Sequence, residues 1–153
     1  MKDFPRLLND MLMQTYHNIL RVEEEYLQKS NKINLSIREM HLIECIGEGE
    51  NEEKTAGEIA DYLRISRPSA TVAIKKLEQK GFLNKSAGHK DGRIVRVTLT
   101  REGRKIFLYH KGYHRNMVAE IGQCFDDEEQ GCLIRAINKL NEFFNREVAP
   151  NSQ

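Results

Sequence analysis

The sequence predicts a mainly α-helical fold with a small β-hairpin wing, and three observations predict it. Long stretches carry apolar residues at helical spacing, two short helical segments are joined by only two residues, and two β-like runs follow around a turn-rich segment. Together these read as a winged helix-turn-helix lobe with long N- and C-terminal dimerisation helices. The expected organisation is a lobe over 35–103, with the dimerisation helices in 1–34 and 104–153.

The first helix is expected from about Phe4 to Lys29, because Leu8, Met11, Leu12, Ile19, Val22 and Tyr26 recur every three or four residues and form an apolar stripe. Ser36-Ile37-Arg38-Glu39 has the pattern of a capping box, in which hydroxyl and carboxylate each satisfy a free backbone N–H; it opens a second helix that Gly47 closes. The stretch from Gly49 to Lys54 reads as a polar loop. Thr55-Ala56-Gly57-Glu58 is a second capping box, opening a short helix with Ile59, Ala60 and Leu63 inward. Arg64 and Ile65 separate it from Ser66, an N-cap residue followed by Pro68 in a first turn where a missing N–H costs nothing. In this fourth helix Ala70, Ala73, Ile74 and Leu77 share one face, and Gly81 stops it.

From Phe82 the pattern turns to strands, Phe82 to Lys85 and Arg93 to Thr98, around Ser86-Ala87-Gly88-His89-Lys90-Asp91-Gly92, so a two-stranded wing is expected. Thr100 opens a long fifth helix to about Cys124. Asp126-Asp127-Glu128-Glu129 supplies another capping box and an acidic first turn for a sixth helix to about Arg146. Ile106, Tyr113, Met117 and Ile121, then Leu133, Ile137, Leu140 and Phe144, make amphipathic faces longer than a small monomer buries, which implies a homodimer.

Composition narrows the function. The chain has 153 residues and a net charge of +1, but 15 of its 24 Lys/Arg and only 5 of its 23 Asp/Glu fall between Lys54 and Arg115, a local +10. A basic central segment suits phosphate neutralisation and counterion release, and the acidic ends are expected to face away from a nucleic acid. Neither a signal peptide nor a membrane span is expected, so the reading is cytoplasmic with no membrane partner. Cys45, Cys124 and Cys132 lack CxxC spacing, against a disulfide framework or a zinc knuckle. No nucleophile elbow or phosphate-binding glycine loop is present, and the acidic pairs read as helix caps, so no enzyme is expected.

A helix-turn-helix presents the N-terminal part of its second helix to the major groove of double-stranded DNA, where short polar and basic side chains reach base edges. Ser66, Arg67, Ser69, Thr71 and Lys75 are the residues so placed. The chain resembles the MarR family of bacterial regulators at this point: Asp91-Gly92-Arg93, then Val97-Thr98-Leu99-Thr100 and Gly103, is similar to that family's wing and helix-start signature. The resemblance extends to helix order over nearly the full chain. It implies that Arg93 enters the minor groove, that Asp91 holds the wing, and that His89, Lys90 and Arg96 add phosphate contacts. It also implies a homodimer joined through the first, fifth and sixth helices, reading palindromic DNA with half-sites roughly 34 Å apart.

Four stretches, Val22-Glu23-Glu24, Leu35 to His41, Leu77 to Gly81 and His110 to Val118, resemble the branch of that family that represses fatty-acid synthesis. That resemblance implies a repressor whose corepressor is a long-chain acyl group on acyl carrier protein. An acyl pocket would draw on Ile19, Met40, Ile43, Ile106, Tyr113 and Met117, which are equally the default core. No cofactor is expected; zinc is the alternative. His110 and His114 stand one turn apart, a spacing that suits two imidazoles on one ion, and Glu24 and His41 would complete a tetrahedral set like that of the family's zinc-sensing branch. Redox sensing finds less support, because Cys45 lies on an apolar helix face.

Overall fold

The computed structural model describes residues 3–29, 34–87 and 95–148. The chain forms two compact units, Met1–Leu108 and Tyr109–Gln153. The first holds helices α1 (Phe4–Lys29) and α2 (Ile37–Gly47), a 3-10 turn (Glu50–Glu52), strand β1 (Glu53–Thr55), helices α3 (Ala56–Leu63) and α4 (Arg67–Gln79), strands β2 (Leu83–Ala87) and β3 (Val95–Leu99), and the first turns of α5 (Arg101–Gly122). The rest of α5 and helix α6 (Asp127–Val148) make the second.

The capping boxes form as their sequences require. Ser36 Oγ accepts from the Glu39 N–H at 3.3 Å while Glu39 takes the Ser36 N–H at 2.8 Å, and Thr55 with Glu58 repeats the exchange at 3.2 and 2.7 Å. The core of the first unit centres on α2, whose Met40, Leu42, Ile43, Cys45 and Ile46 are buried against Ile59, Ile74, Leu77, Leu83, Val97 and Phe107. Gly47 permits that packing: a Cβ there would lie 2.6 Å from the Phe107 ring.

Two expectations need correction. The stretch read as a polar loop contains the 3-10 turn and the first two residues of β1, and the wing is not two-stranded: β1 pairs antiparallel with β3, giving a three-stranded sheet of order β1-β3-β2. A three-residue strand is too short to show alternation, and its partner is far along the chain, so pairing with the β3 edge rather than local pattern creates it. Thr55 then ends the strand and caps α3.

The Leu99-Thr100-x-x-Gly103 segment locks the start of α5 to the end of α4. The Thr100 hydroxyl donates to Gly81 O at 2.7 Å and accepts from the Gly103 N–H at 3.0 Å, while the Thr100 N–H donates to Phe82 O at 3.0 Å. Gly81, at φ 82°, supplies the left-handed residue that ends α4, where the Phe82 N–H closes back on Leu77 O at 3.0 Å.

In the second unit, Asp126 and Glu129 cap α6 reciprocally at 2.9 and 3.0 Å. Yet α6 buries no residue, and Ile134, Phe143, Phe144 and Val148 are exposed along it. In the first unit α1 likewise leaves Phe4, Leu7, Met11, Tyr16 and Ile19 exposed. Among the described residues no helix is long and apolar enough to cross a membrane.

Candidate nucleic-acid interface

The turn between α3 and α4 is built by hydrogen bonds that leave one residue strained. The Ile65 N–H reaches Ala60 O at 3.0 Å and the Arg64 N–H reaches Asp61 O at 3.3 Å, a Schellman closure whose left-handed position is filled by Arg64 at φ 51°, ψ 46°. Glycine would take that conformation at less cost, so the position holds a cation in spite of the backbone's preference. Ser66 then starts α4, accepting the Ser69 N–H at 3.2 Å.

Ala70, Ile74 and Leu77 bury one face of α4, and Ser66, Arg67, Ser69, Thr71 and Lys75 are all exposed. Their hydrogen-bonding states differ. The Ser66 and Ser69 hydroxyls bond each other at 2.8 Å, and the Thr71 hydroxyl donates back to Arg67 O at 3.0 Å. The charged pair is different: among the described residues Arg67 and Lys75, with Arg64, have no acidic partner within ion-pair distance. Arg67 reaches toward the start of α3, its Nε 3.8 Å from where a Cβ on Gly57 would lie.

Other cations of the lobe are committed to structure. Lys76 and Lys80 converge on Glu39 at 3.0 and 2.9 Å, and Lys80 also donates to Asn34 O at 2.7 Å, tying the end of α4 to the start of α2. Burial alone would raise the Glu39 carboxyl, but the Ser36 N–H and the two ammonium groups outweigh it and hold it down to about 2. Lys85 pairs with Glu78. Arg96, expected as a phosphate contact, pairs with Glu53 at 2.9 Å across the β1–β3 ladder. His89, Lys90, Asp91 and Arg93 lie outside the described residues.

The sequence reading passed over Arg64, taken only as one of two residues between the helices, and Val72, which a helical wheel puts on the outermost face of α4. It also passed over a cleft of about 820 Å³ in the first unit, where α1 meets the start of α2, lined by Tyr16, Leu20, Leu27, Leu35, Ile37 and Arg38 among others. None of the six residues expected to line an acyl pocket is in that lining: Met40, Ile43 and Ile106 are in the core, Ile19 is exposed on α1, and Tyr113 and Met117 are half-buried on α5.

Of the alternative metal set, Glu24 and His41 share the lining of this cleft. His110 and His114 meet edge to face in the second unit, with ring centroids 4.4 Å apart. Two imidazoles one turn apart offer two nitrogen donors, half of a tetrahedral zinc set. Burial pushes the Cys45 thiol up to about 11, which keeps it protonated and poorly nucleophilic at neutral pH.

Residues 35–95 match the model described as the MarR family. The crystal structure of Streptococcus pneumoniae FabT in complex with DNA is similar to this chain at a TM-score of 0.88 and 29% identity, covering 92% of this chain and 97% of that one. Among curated proteins, the transcriptional regulator ZitR of Lactococcus lactis is 28% identical over 131 residues, 84% of this chain and 85% of its own length. A crystal structure of ZitR, described as a zinc-responsive MarR family member, superposes with a TM-score of 0.63 over 90% of this chain and 99% of that one; at 24% identity, this bears on the fold alone.

Proposed function

We propose that this chain, whose residues 35–95 match the MarR family, is a DNA-binding transcription regulator of that family and a homodimeric repressor of fatty-acid synthesis genes, with a long-chain acyl group on acyl carrier protein as corepressor. The observation that carries the DNA-binding half is the exposed N-terminal half of α4 and the turn before it, where Arg64, Arg67 and Lys75 have no acidic partner within ion-pair distance among the described residues. Cations left without internal partners are the ones able to neutralise phosphates or fork onto a guanine edge. The likeness to FabT, whose structure is a DNA complex, supports DNA binding.

Dimerisation rests on apolar exposure. A 22-residue amphipathic helix with no buried residue among those described, as α6 is, calls for a second copy, and α1 and α5 each carry exposed apolar residues of their own. The two copies of α4 would then meet successive major grooves about one helical turn apart.

The fatty-acid reading draws on the resemblance of Leu35 to His41 and His110 to Val118 to that branch, and on the cleft beside α1 and α2. Its volume falls within the range of small-molecule sites, and its lining mixes Leu20, Leu27, Leu35 and Ile37 with polar groups able to fix one end of an amphipathic ligand. A second reading, zinc response, is favoured by the His110–His114 pair and the likeness to ZitR.

One titration separates the two. Fluorescence anisotropy of chelator-treated protein on the palindromic DNA upstream of its own gene is followed with acyl carrier protein, its long-chain acyl form, or zinc added in turn. The acyl form is expected to tighten binding about tenfold or more, in the range of ordinary allosteric coupling, with the unacylated carrier inert. Tightening by zinc alone would replace the fatty-acid reading with the metal one.

A further inference from the structure

We infer that Val72 is a base-reading residue and that it recognises the C5-methyl group of a thymine in each half-site. The inference rests on the DNA-binding reading of α4 and adds a specificity determinant to it.

Val72 is 69% exposed, the most exposed of the large apolar side chains of the described residues. It lies about 150° around α4 from Ala70, Ile74 and Leu77, which are buried, so it points directly away from the core. Its neighbours on the outer face are Pro68 and Ser69 one turn before it and Lys75 and Lys76 one turn on, so the valine stands in a largely polar, basic surface. An isolated exposed valine is common on protein surfaces and by itself signifies nothing. This one occupies the outermost line of the helix that a helix-turn-helix inserts in the major groove.

The hydroxyls nearby strengthen the assignment. Ser66 and Ser69 bond each other, and Thr71 bonds Arg67 O, so the short polar side chains of the first two turns are engaged within the helix. Val72 has no such use, and it packs against nothing that would explain it. Lys75, one turn on, and Arg64 and Arg67, at the turn that starts the helix, complement a polyanion, which commits this end of α4 to nucleic acid rather than to an apolar protein partner. In the major groove the one apolar feature of a base edge is the thymine methyl, and a small branched aliphatic side chain is its natural contact.

The test isolates that methyl. Wild-type protein first enriches its operator from a random duplex pool. Each thymine of the half-site is then replaced, singly and symmetrically, by deoxyuridine, which removes the methyl and nothing else. Affinities are measured by anisotropy for wild type and Val72→Ala. Loss of one buried methyl is expected to weaken wild-type binding about fourfold per half-site, hence roughly 15-fold for the symmetric change. Val72→Ala is expected to be insensitive to deoxyuridine at that position while keeping its sensitivity to other base changes. Val72→Ala removes an exposed side chain from a helix and raises helix propensity, so the fold is retained.

Wild type that binds its operator with no thymine-methyl dependence overturns the inference. So does a Val72→Ala protein that keeps the full deoxyuridine penalty. If no duplex is enriched at all, the DNA-binding reading of α4 fails and the role of Val72 fails with it.

Discussion

Gly103→Ala is expected to lower the free energy of unfolding by about 3 kcal/mol, although the same exchange in an ordinary helix interior stabilises by roughly 0.5–1 kcal/mol. The sign reverses because α5 begins against a backbone. A Cβ on Gly103 would overlap Phe82 O, and that oxygen also accepts the Thr100 N–H. Neither can give way like a side-chain tip, since moving Phe82 O breaks its bond to Thr100 and disturbs the neighbouring Thr100–Gly81 bond. Gly112, also in α5, has nothing within 4 Å of the corresponding point, and Gly112→Ala should be neutral or stabilising. Urea unfolding at one fixed protein concentration compares them, and Gly103→Ala should lose roughly 1–2 M in midpoint at an m-value near 2 kcal/mol/M. Equal midpoints for Gly103→Ala and wild type would mean that the close approach of α5 to Phe82 does not exist in solution.

The second large effect is on DNA. Arg67→Ala combined with Lys75→Ala is expected to weaken operator binding on the order of 10³-fold. The pair removes two unpaired cations per half-site, four per dimer, each worth about 1 kcal/mol or more as a phosphate or base contact. If all four act on phosphates, the slope of log K against log salt should fall by roughly 0.9 for each, and a smaller change would assign some to bases. Neither side chain is buried, so the thermal transition should hardly move. Lys76 and Lys80 are unsuitable for this test, because both ammonium groups hold Glu39 and their loss would disturb the junction of α2 and α4. An unchanged affinity for the double variant would place the DNA contact on another surface.

Local chemistry accounts for what was legible in the sequence. Helix α1 could be read from spacing alone, and Ser36, Thr55 and Asp126 announced helix starts because each precedes a carboxylate three residues on, the pattern that the reciprocal bonds require. Gly81 marked the end of α4 through its left-handed backbone. What escaped depends on contacts between distant parts of the chain. Strand β1 exists through its pairing with β3. The ion pair of Arg96 with Glu53 was equally hidden, because Glu53 lies on a strand not foreseen.

The candidate site divides along the same line. That α4 would expose Ser69, Thr71 and Lys75 follows from a 3.6-residue period, while Ser66 and Arg67 are exposed because they sit at the start of the helix, ahead of its buried turns. Which of them keep free hydrogen-bonding capacity depends on backbone geometry that the period does not encode. Choosing cleft-lining residues was harder still. Met40, Ile43 and Ile106 carry the same apolar signal whether they line a pocket or fill a core, and here they fill the core. Leu35 and Ile37 flank the cap of α2, and it was the meeting of α1 with that cap that put them in a cleft.

The claim on which the rest depends is that two copies of α4, held by one dimer, read two half-sites of a palindrome. The most direct measurement inserts five base pairs, about half a helical turn, between the half-sites of the enriched operator and compares anisotropy titrations of the original and lengthened duplexes. A rigid dimer cannot follow half-sites turned to opposite faces of the duplex, so binding should fall to the level of unrelated DNA, a loss of about 10³-fold or more. Equal affinity for the two duplexes would contradict the account, because it would mean that each α4 binds its half-site independently of the other.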